Sequence, residues 1–145
     1  MKIYLAAGWF SPKQLALVEA LETVFSEHDL FSPRSEGALG GKTKEEREAL
    51  APVFFESNCK HIEDSDLVFA VVDDRDLGVV WEIGYAHGVG VPIVTFSNEG
   101  HGLNLMIAQC AERHVQGLEE AGDFADLAKT DPIYAMTGDK GESVT

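Results

Sequence analysis

The stretch Asp66-Leu67-Val68-Phe69-Ala70-Val71-Val72, followed by Asp73-Asp74-Arg75-Asp76-Leu77-Gly78 and then Val79–Gly88, decides the fold. Its apolar run has no polar residue on either face, so it reads as a strand buried on both sides, the pattern of a parallel sheet covered by helices. The acidic loop, closed by Gly78, separates it from a segment that reads as a helix. Strand, short loop and helix in that order form half of a βαβ unit.

Working outward, Ile3-Tyr4-Leu5-Ala6-Ala7 is a second buried strand, ended by Gly8. Between Pro12 and His28, apolar residues at 15, 17, 18, 21, 24 and 25 recur every three or four positions behind Ser11 and Pro12, which predicts an amphipathic helix. Asp29–Ser32 reads as a short extended piece, and Ser35–Gly41 is rich in glycine and small residues. Thr43 with Glu46 is a capping-box pair opening a charged helix, in which Pro52 either makes a kink or begins a second helix reaching about Ile62. Pro92–Phe96 reads as a strand, Asn104–Arg113 as a helix, His114–Gln116 as an edge strand and Leu118–Lys129 as a last helix. The alternation predicts a doubly wound α/β sandwich with a five-stranded parallel sheet of order 2-1-3-4-5. Residues 1–136 are expected as one domain and 137–145 as a flexible polar tail. In such sheets ligands bind beyond the carboxyl ends of the strands where the winding reverses, here between the loops after Ala7 and Val72.

Composition limits the partners. Eleven Lys+Arg against 25 Asp+Glu give a formal charge of −14 in 145 residues. Nucleic acid and anionic membranes are bound through clustered basic groups, so neither is expected as a partner. Cys59 and Cys110 have no CxxC or metal spacing, and the amino terminus lacks a long apolar run, which together read as a reduced, cytoplasmic protein. The five histidines show no paired ligand spacing, so neither metal nor cofactor is expected. Gly37–Thr43 resembles a phosphate-binding loop only superficially, because Glu36 stands where the motif needs its first glycine. Ala7–Ser11 lacks the three glycines of a dinucleotide fingerprint.

The chemistry-bearing residues gather at the predicted crevice. The loop after the third strand delivers Asp73, Asp74 and Asp76, with Glu82 one turn into the following helix. Their simplest reading is a solvated acidic loop with a capping Asp. Glu82 stands apart because it lies in an apolar helix between Trp81 and Ile83. The helix dipole would favour its ionised form by roughly 0.3–1 kcal/mol, which suits a nucleophile. Asp66, by spacing alone, reads as a helix-to-strand turn residue. Tyr4 reads as core, while Trp9 and Phe10, in a loop at the strand's carboxyl end, suit stacking on a flat heterocycle.

Taken together, Ile3–Phe10 with its Ala7-Gly8-Trp9-Phe10 loop, Asp66, the run Asp76–Ala86 and Asn104-Leu105-Met106 resemble the nucleoside 2-deoxyribosyltransferases, in order from residue 3 to about 115. The resemblance implies a flavodoxin-like fold and a retaining transfer of 2-deoxyribose from a deoxynucleoside donor to a free nucleobase acceptor, with slow hydrolysis as a side reaction. It implies Glu82 as the nucleophile that forms a covalent deoxyribosyl intermediate, Asp66 as the group exchanging a proton with the base, and Tyr4 as the residue orienting the nucleophile. Asp76 would bind sugar hydroxyls, and Gly8, Trp9 and Phe10 would line the substrate site. Glu36 falls in the base-contacting segment where an amide is more familiar. Asn104 and Met106 would complete a neighbouring subunit's site, implying a homo-oligomer, a hexamer built as a trimer of dimers.

Two other readings compete. A hydrolase of 2-deoxynucleoside 5′-monophosphates shares the fold and nucleophile, but its first loop resembles S-I-R-G, and Asn104-Leu105-Met106 offers no cation for a phosphate. The other is a non-catalytic flavodoxin-like binding or signalling module; a signalling receiver would need an acidic pair after the first strand, where this chain has Ala7-Gly8-Trp9.

Overall fold

The computed structural model describes residues 1–100 and 102–145. His101, one of the five histidines scanned for metal-ligand spacing, lies outside the described residues. Five parallel strands, β1 (Lys2–Ala6), β2 (Asp29–Phe31), β3 (Leu67–Val71), β4 (Ile93–Ser97) and β5 (Arg113–Gln116), form one sheet in the order β2-β1-β3-β4-β5. The expected topology is therefore the observed one. The helices are α1 (Pro12–Val24), α2 (Lys44–Glu63), α3 (Leu77–Val89), α4 (Leu105–Cys110), α5 (Gly117–Thr130) and the short α6 (Pro132–Ala135).

Strand parity assigns the core. Ile3 and Leu5 of β1, with Leu67, Phe69 and Val71 of β3, pack beneath Val18 and Leu21 of α1 and Phe124 of α5. Tyr4 and Ala6, with Val68 and Ala70, face the other way, onto Ile62 of α2 and Val79, Ile83 and Ala86 of α3. The register pairs Tyr4 with Val68. Tyr4 thus reaches the α3 face because of its even position in the strand.

Several boundaries move, each for a local reason. α1 ends at Val24 rather than His28, since Phe25 turns inward as its cap and is fully buried. Pro52 neither ends nor divides α2, which runs unbroken from Lys44 to Glu63 behind the Thr43/Glu46 capping box. α4 stops at Cys110, three residues short of the expected end, and Arg113 already belongs to β5. Ser35 and Glu36, at the start of the glycine-rich stretch, belong to a 3₁₀ turn, Pro33–Glu36. Residues 137–145, expected as a loose tail, are docked. The His114 N–H donates to the Asp139 carbonyl at 2.7 Å, the Leu103 N–H to the Glu142 carbonyl at 2.8 Å and the Val144 N–H to the Leu103 carbonyl at 2.9 Å. Backbone groups beside the edge strand β5 and the start of α4 leave donors that this segment satisfies. No helix among the described residues is long and apolar enough to cross a membrane.

Candidate active site

The site forms where the winding reverses, above the carboxyl ends of β1 and β3. α1, which joins β1 to β2, covers one face of the sheet, and α2 and α3 cover the other. The two loops at that point are held together by Gln14. Its Oε1 accepts from the Phe10 and Ser11 N–H groups at 2.9 and 3.1 Å, and its Nε2 donates to Asp74 Oδ2 at 3.1 Å. Gln14 is also the reciprocal partner of Ser11 in the α1 capping box. One side chain therefore fixes both the helix start and the first loop.

Asp76 is the N-cap of α3, its Oδ1 accepting from the Val79 N–H at 3.0 Å. Its other oxygen points across the crevice to Gly8, where an added Cβ would stand 3.1 Å from Asp76 Oδ2 and 2.9 Å from Gln14 Nε2. Glu82 lies further along α3 on the side facing the sheet. Its Oε2 is buried without a regular hydrogen bond, and so is the Tyr4 hydroxyl. The two groups nevertheless meet closely enough for the phenol to stabilise the Glu82 carboxylate.

Electrostatics at Glu82 run against the helix-dipole expectation. Burial raises its pKa, the Tyr4 hydroxyl lowers it and the neighbouring Asp76 charge raises it again, leaving it pushed up to about 7. Desolvation outweighs the dipole because the carboxylate is turned inward beside the sheet instead of outward from the first turn. The same burial, with the Glu82 charge, raises the Tyr4 phenol well above its ordinary value, so it stays a hydrogen-bond donor.

The other acidic residues separate from this pair. Asp73 caps the turn after β4, accepting from the Ser97 hydroxyl at 2.5 Å and from the Asn98 and Glu99 N–H groups at 2.8 and 3.0 Å. Asp66 is not brought to the site. It lies at the amino end of β3, exposed, with Oδ2 accepting from the Lys2 N–H at 2.8 Å. Five residues of strand, about 16 Å at ~3.3 Å each, separate it from the carboxyl end at Val71. The role implied for Asp66 in proton exchange with a base is therefore corrected: a parallel strand presents ligand-binding groups at its other end.

One cavity opens beside the first loop at Trp9 and Phe10, and another beside Asp76 at the start of α3. The smaller, about 220 Å³, is lined by Trp9, Phe10, Glu36, Phe54, Asn58 and the Gly37–Gly40 segment. Trp9 and Phe10 stack on each other with ring centroids 4.7 Å apart. Glu36 Oε1 accepts from the Ser57 hydroxyl at 2.8 Å. The turn carrying Glu36 is anchored by Arg34, which grips both oxygens of Glu22 on α1 at 2.8 and 2.6 Å and holds the Glu22 pKa below the usual range. The larger cavity, about 760 Å³, is lined by Val72, Asp76, Leu77, Val80, Asn104 and Met106 among others. Asn104 is the N-cap of α4, its Oδ1 accepting from the Met106 N–H at 2.8 Å.

Sequence reasoning missed four contributors. Gln14 was legible as the fourth residue of the Ser11 capping box. Phe54 and Asn58 were legible as an i, i+4 pair on the inner side of α2. Arg75 on the wall of the larger cavity has a φ of 50°, a left-handed value unusual for a residue with a side chain. Nothing in the sequence marks that conformation.

A family model described as nucleoside 2-deoxyribosyltransferase matches residues 3–139. Among solved structures, a 2-deoxyribosyltransferase of the psychrotolerant bacterium Bacillus psychrosaccharolyticus superposes with a TM-score of 0.77 at 26% identity, covering 100% of both chains. Two more distant structures share the fold, each with a TM-score of 0.59. A conserved protein of Enterococcus faecalis V583 is 22% identical, covering 87% of this chain and 97% of its own. A CMP N-glycosidase of Clostridium botulinum is 17% identical, covering 88% and 100%. No curated protein sequence matches significantly.

Proposed function

Because this chain belongs to the nucleoside 2-deoxyribosyltransferase family, we propose that it transfers 2-deoxyribose between purine or pyrimidine bases with retention of configuration. A Glu82 oxygen attacks the anomeric carbon as the C1′–N bond breaks, giving a deoxyribosyl-Glu82 ester. An incoming base then attacks the same carbon from the face the first base left. Two inversions restore the β-configuration. The observation that carries this reading is the buried Tyr4–Glu82 pair, in which Glu82 keeps an oxygen free of protein hydrogen bonds. In this reading Asp76 accepts from a sugar hydroxyl, and Gly8, which has no side chain, lets the first loop approach Asp76 and Gln14 closely. The aromatic cavity one residue further on suits the base.

A second copy of the chain is part of the proposal. Leu77 is 84% and Met106 73% exposed on the rim of the larger cavity, next to exposed Val80, Trp81 and Leu105. Such a patch is costly to leave in water, and a neighbouring subunit would cover it and shield the ester from hydrolysis. Asn104 and Met106 then complete the neighbour's site, in a hexamer built as a trimer of dimers.

The test is base exchange. Deoxyadenosine with cytosine should give deoxycytidine and adenine; deoxyribose released equally with and without cytosine would refute transfer. One observation favours a second reading, hydrolysis of 2-deoxynucleoside 5′-monophosphates. Arg75 supplies the larger cavity with a cation that could meet a phosphate. Faster turnover of deoxyadenosine 5′-monophosphate than of deoxyadenosine would favour that reading.

A further inference from the structure

Breaking the C1′–N bond of a nucleoside leaves an electron pair on the base, and a proton delivered to a ring nitrogen makes the base a far better leaving group. Asp66 is at the wrong end of the sheet to deliver it. Asp76 is held at the start of α3 on the sugar side, and Asn58 in the base cavity is an amide with no proton to exchange.

Glu36 is the one ionisable side chain among the described residues lining the aromatic cavity. Several independent features place it for this work. Its Oε1 is fixed by the Ser57 hydroxyl at 2.8 Å, which leaves the second oxygen available to a ligand. Ser57 is itself 3.3 Å from His61 Nδ1, and His61 stacks flat on Phe31 at 3.6 Å, so the exposed Glu36 side chain is tethered to α2 through a supported hydroxyl. Trp9 and Phe10 line the same cavity, so a base stacked on them shares that space with Glu36. Trp9 in the cavity wall is one peptide step from Gly8, which lies against Asp76.

Resting on the transfer reading above, we infer that Glu36 is the catalytic residue that exchanges a proton with the base. As Glu82 bonds to C1′ and the C1′–N pair withdraws onto the departing base, the Glu36 carboxyl passes its proton to a ring nitrogen and becomes a carboxylate. The incoming base returns a proton to Glu36 as its own nitrogen bonds to C1′ and the Glu82 ester bond breaks. The cycle ends with the charges and protons with which it began. Ser57 acts as a positioning residue for this step.

The experiment compares two donors. Deoxyadenosine needs its base protonated, whereas 4-nitrophenyl 2-deoxyriboside loses a leaving group that is stable as an anion. Glu36→Gln should lower exchange from deoxyadenosine at least ~100-fold, the usual scale for a lost acid-base group, while release of 4-nitrophenolate stays within about threefold of the parent chain. Glu82→Gln should abolish both reactions. Glu36→Asp should recover part of the deoxyadenosine rate. If Glu36→Gln keeps more than a third of the deoxyadenosine rate, or loses both reactions equally with its circular dichroism unchanged, the assignment is overturned while the transfer reading stands. A parent chain inert toward both donors overturns the transfer reading and this one with it.

Discussion

The Tyr4 hydroxyl and the Glu82 carboxylate face each other inside the fold, and neither Tyr4 Oη nor Glu82 Oε2 makes a regular hydrogen bond. A buried carboxyl beside a phenol that cannot readily ionise is a poor structural element. Leaving a polar group buried without a full partner costs of order 1–3 kcal/mol. It is a serviceable nucleophile, because its unused oxygen is available to bond to carbon.

The pH dependence follows from this pair. Attack requires ionised Glu82, whose pKa is pushed up to about 7. With 4-nitrophenyl 2-deoxyriboside, whose leaving group needs no proton, kcat/KM of the free enzyme should rise as pH passes through about 7 and then level off. The Tyr4 hydroxyl lowers that pKa, so Tyr4→Phe should shift the rising limb to higher pH and reduce the rate at pH 6 more than at pH 9. A limb that stays in place would show that the phenol does not act on Glu82.

Stability should respond in the opposite sense. In the unfolded chain Glu82 loses its proton near pH 4.3, and in the folded chain near 7. Between those values the native state binds more protons than the unfolded state, so this group makes stability fall as pH rises. Above pH 7 the cost is complete, about 3–4 kcal/mol for a shift of this size. Glu82→Gln removes it. Thermal melts should find the variant close to the parent at pH 4 and more stable at pH 8, although it has no exchange activity.

Asp66→Asn gives the contrasting result. Its carboxylate holds the Lys2 N–H at the exposed amino edge of the sheet, 2.8 Å away. The substitution should cost about 0.5–1 kcal/mol in urea unfolding, with kcat and KM for base exchange unchanged. A loss of tenfold or more in kcat would return Asp66 to the site.

Gly8→Ala tests the narrow approach between the loops. The added methyl would stand 2.9 Å from Gln14 Nε2 and 3.1 Å from Asp76 Oδ2, and Gln14 is tied by hydrogen bonds to both loops. The KM for the deoxynucleoside should rise about tenfold, with the melting temperature little changed. An unchanged KM would remove the sugar from this position.

Subunit sharing is tested by mixing. Asn104→Ala should weaken nucleoside binding and Glu82→Gln should abolish exchange. Co-refolded together, the two variants should regain activity, since a mixed pair contains one site with both native residues. Absence of any recovery, with mixed assembly demonstrated by native mass spectrometry, would show that each chain completes its own site.

The order of the sheet was legible in the sequence because two of its strands, within residues 3–7 and 67–72, are apolar on both faces, the pattern of a doubly covered parallel sheet. Glu82 was legible for a related reason: a lone carboxylate in an apolar helix has to face something. Its charge state was not legible. The helix dipole is a local property and predicted a favoured anion, whereas the desolvation that raises its pKa depends on packing against β1.

Which carboxylates share a site was decided by the tertiary structure alone. Asp66, Asp73 and Asp76 lie within eleven positions of one another along the chain. Strand direction sends the first to the far end of the sheet, the turn after β4 takes up the second, and only the third stands beside Glu82. Glu36, distant in sequence, is brought to the aromatic cavity by Arg34 gripping Glu22 and by Ser57 on α2. Chain periodicity encodes which face a residue presents, and so fixes layers and topology. The neighbours across a crevice depend on how far each strand carries its end and on which polar groups the loops themselves use up, and neither is written in local spacing.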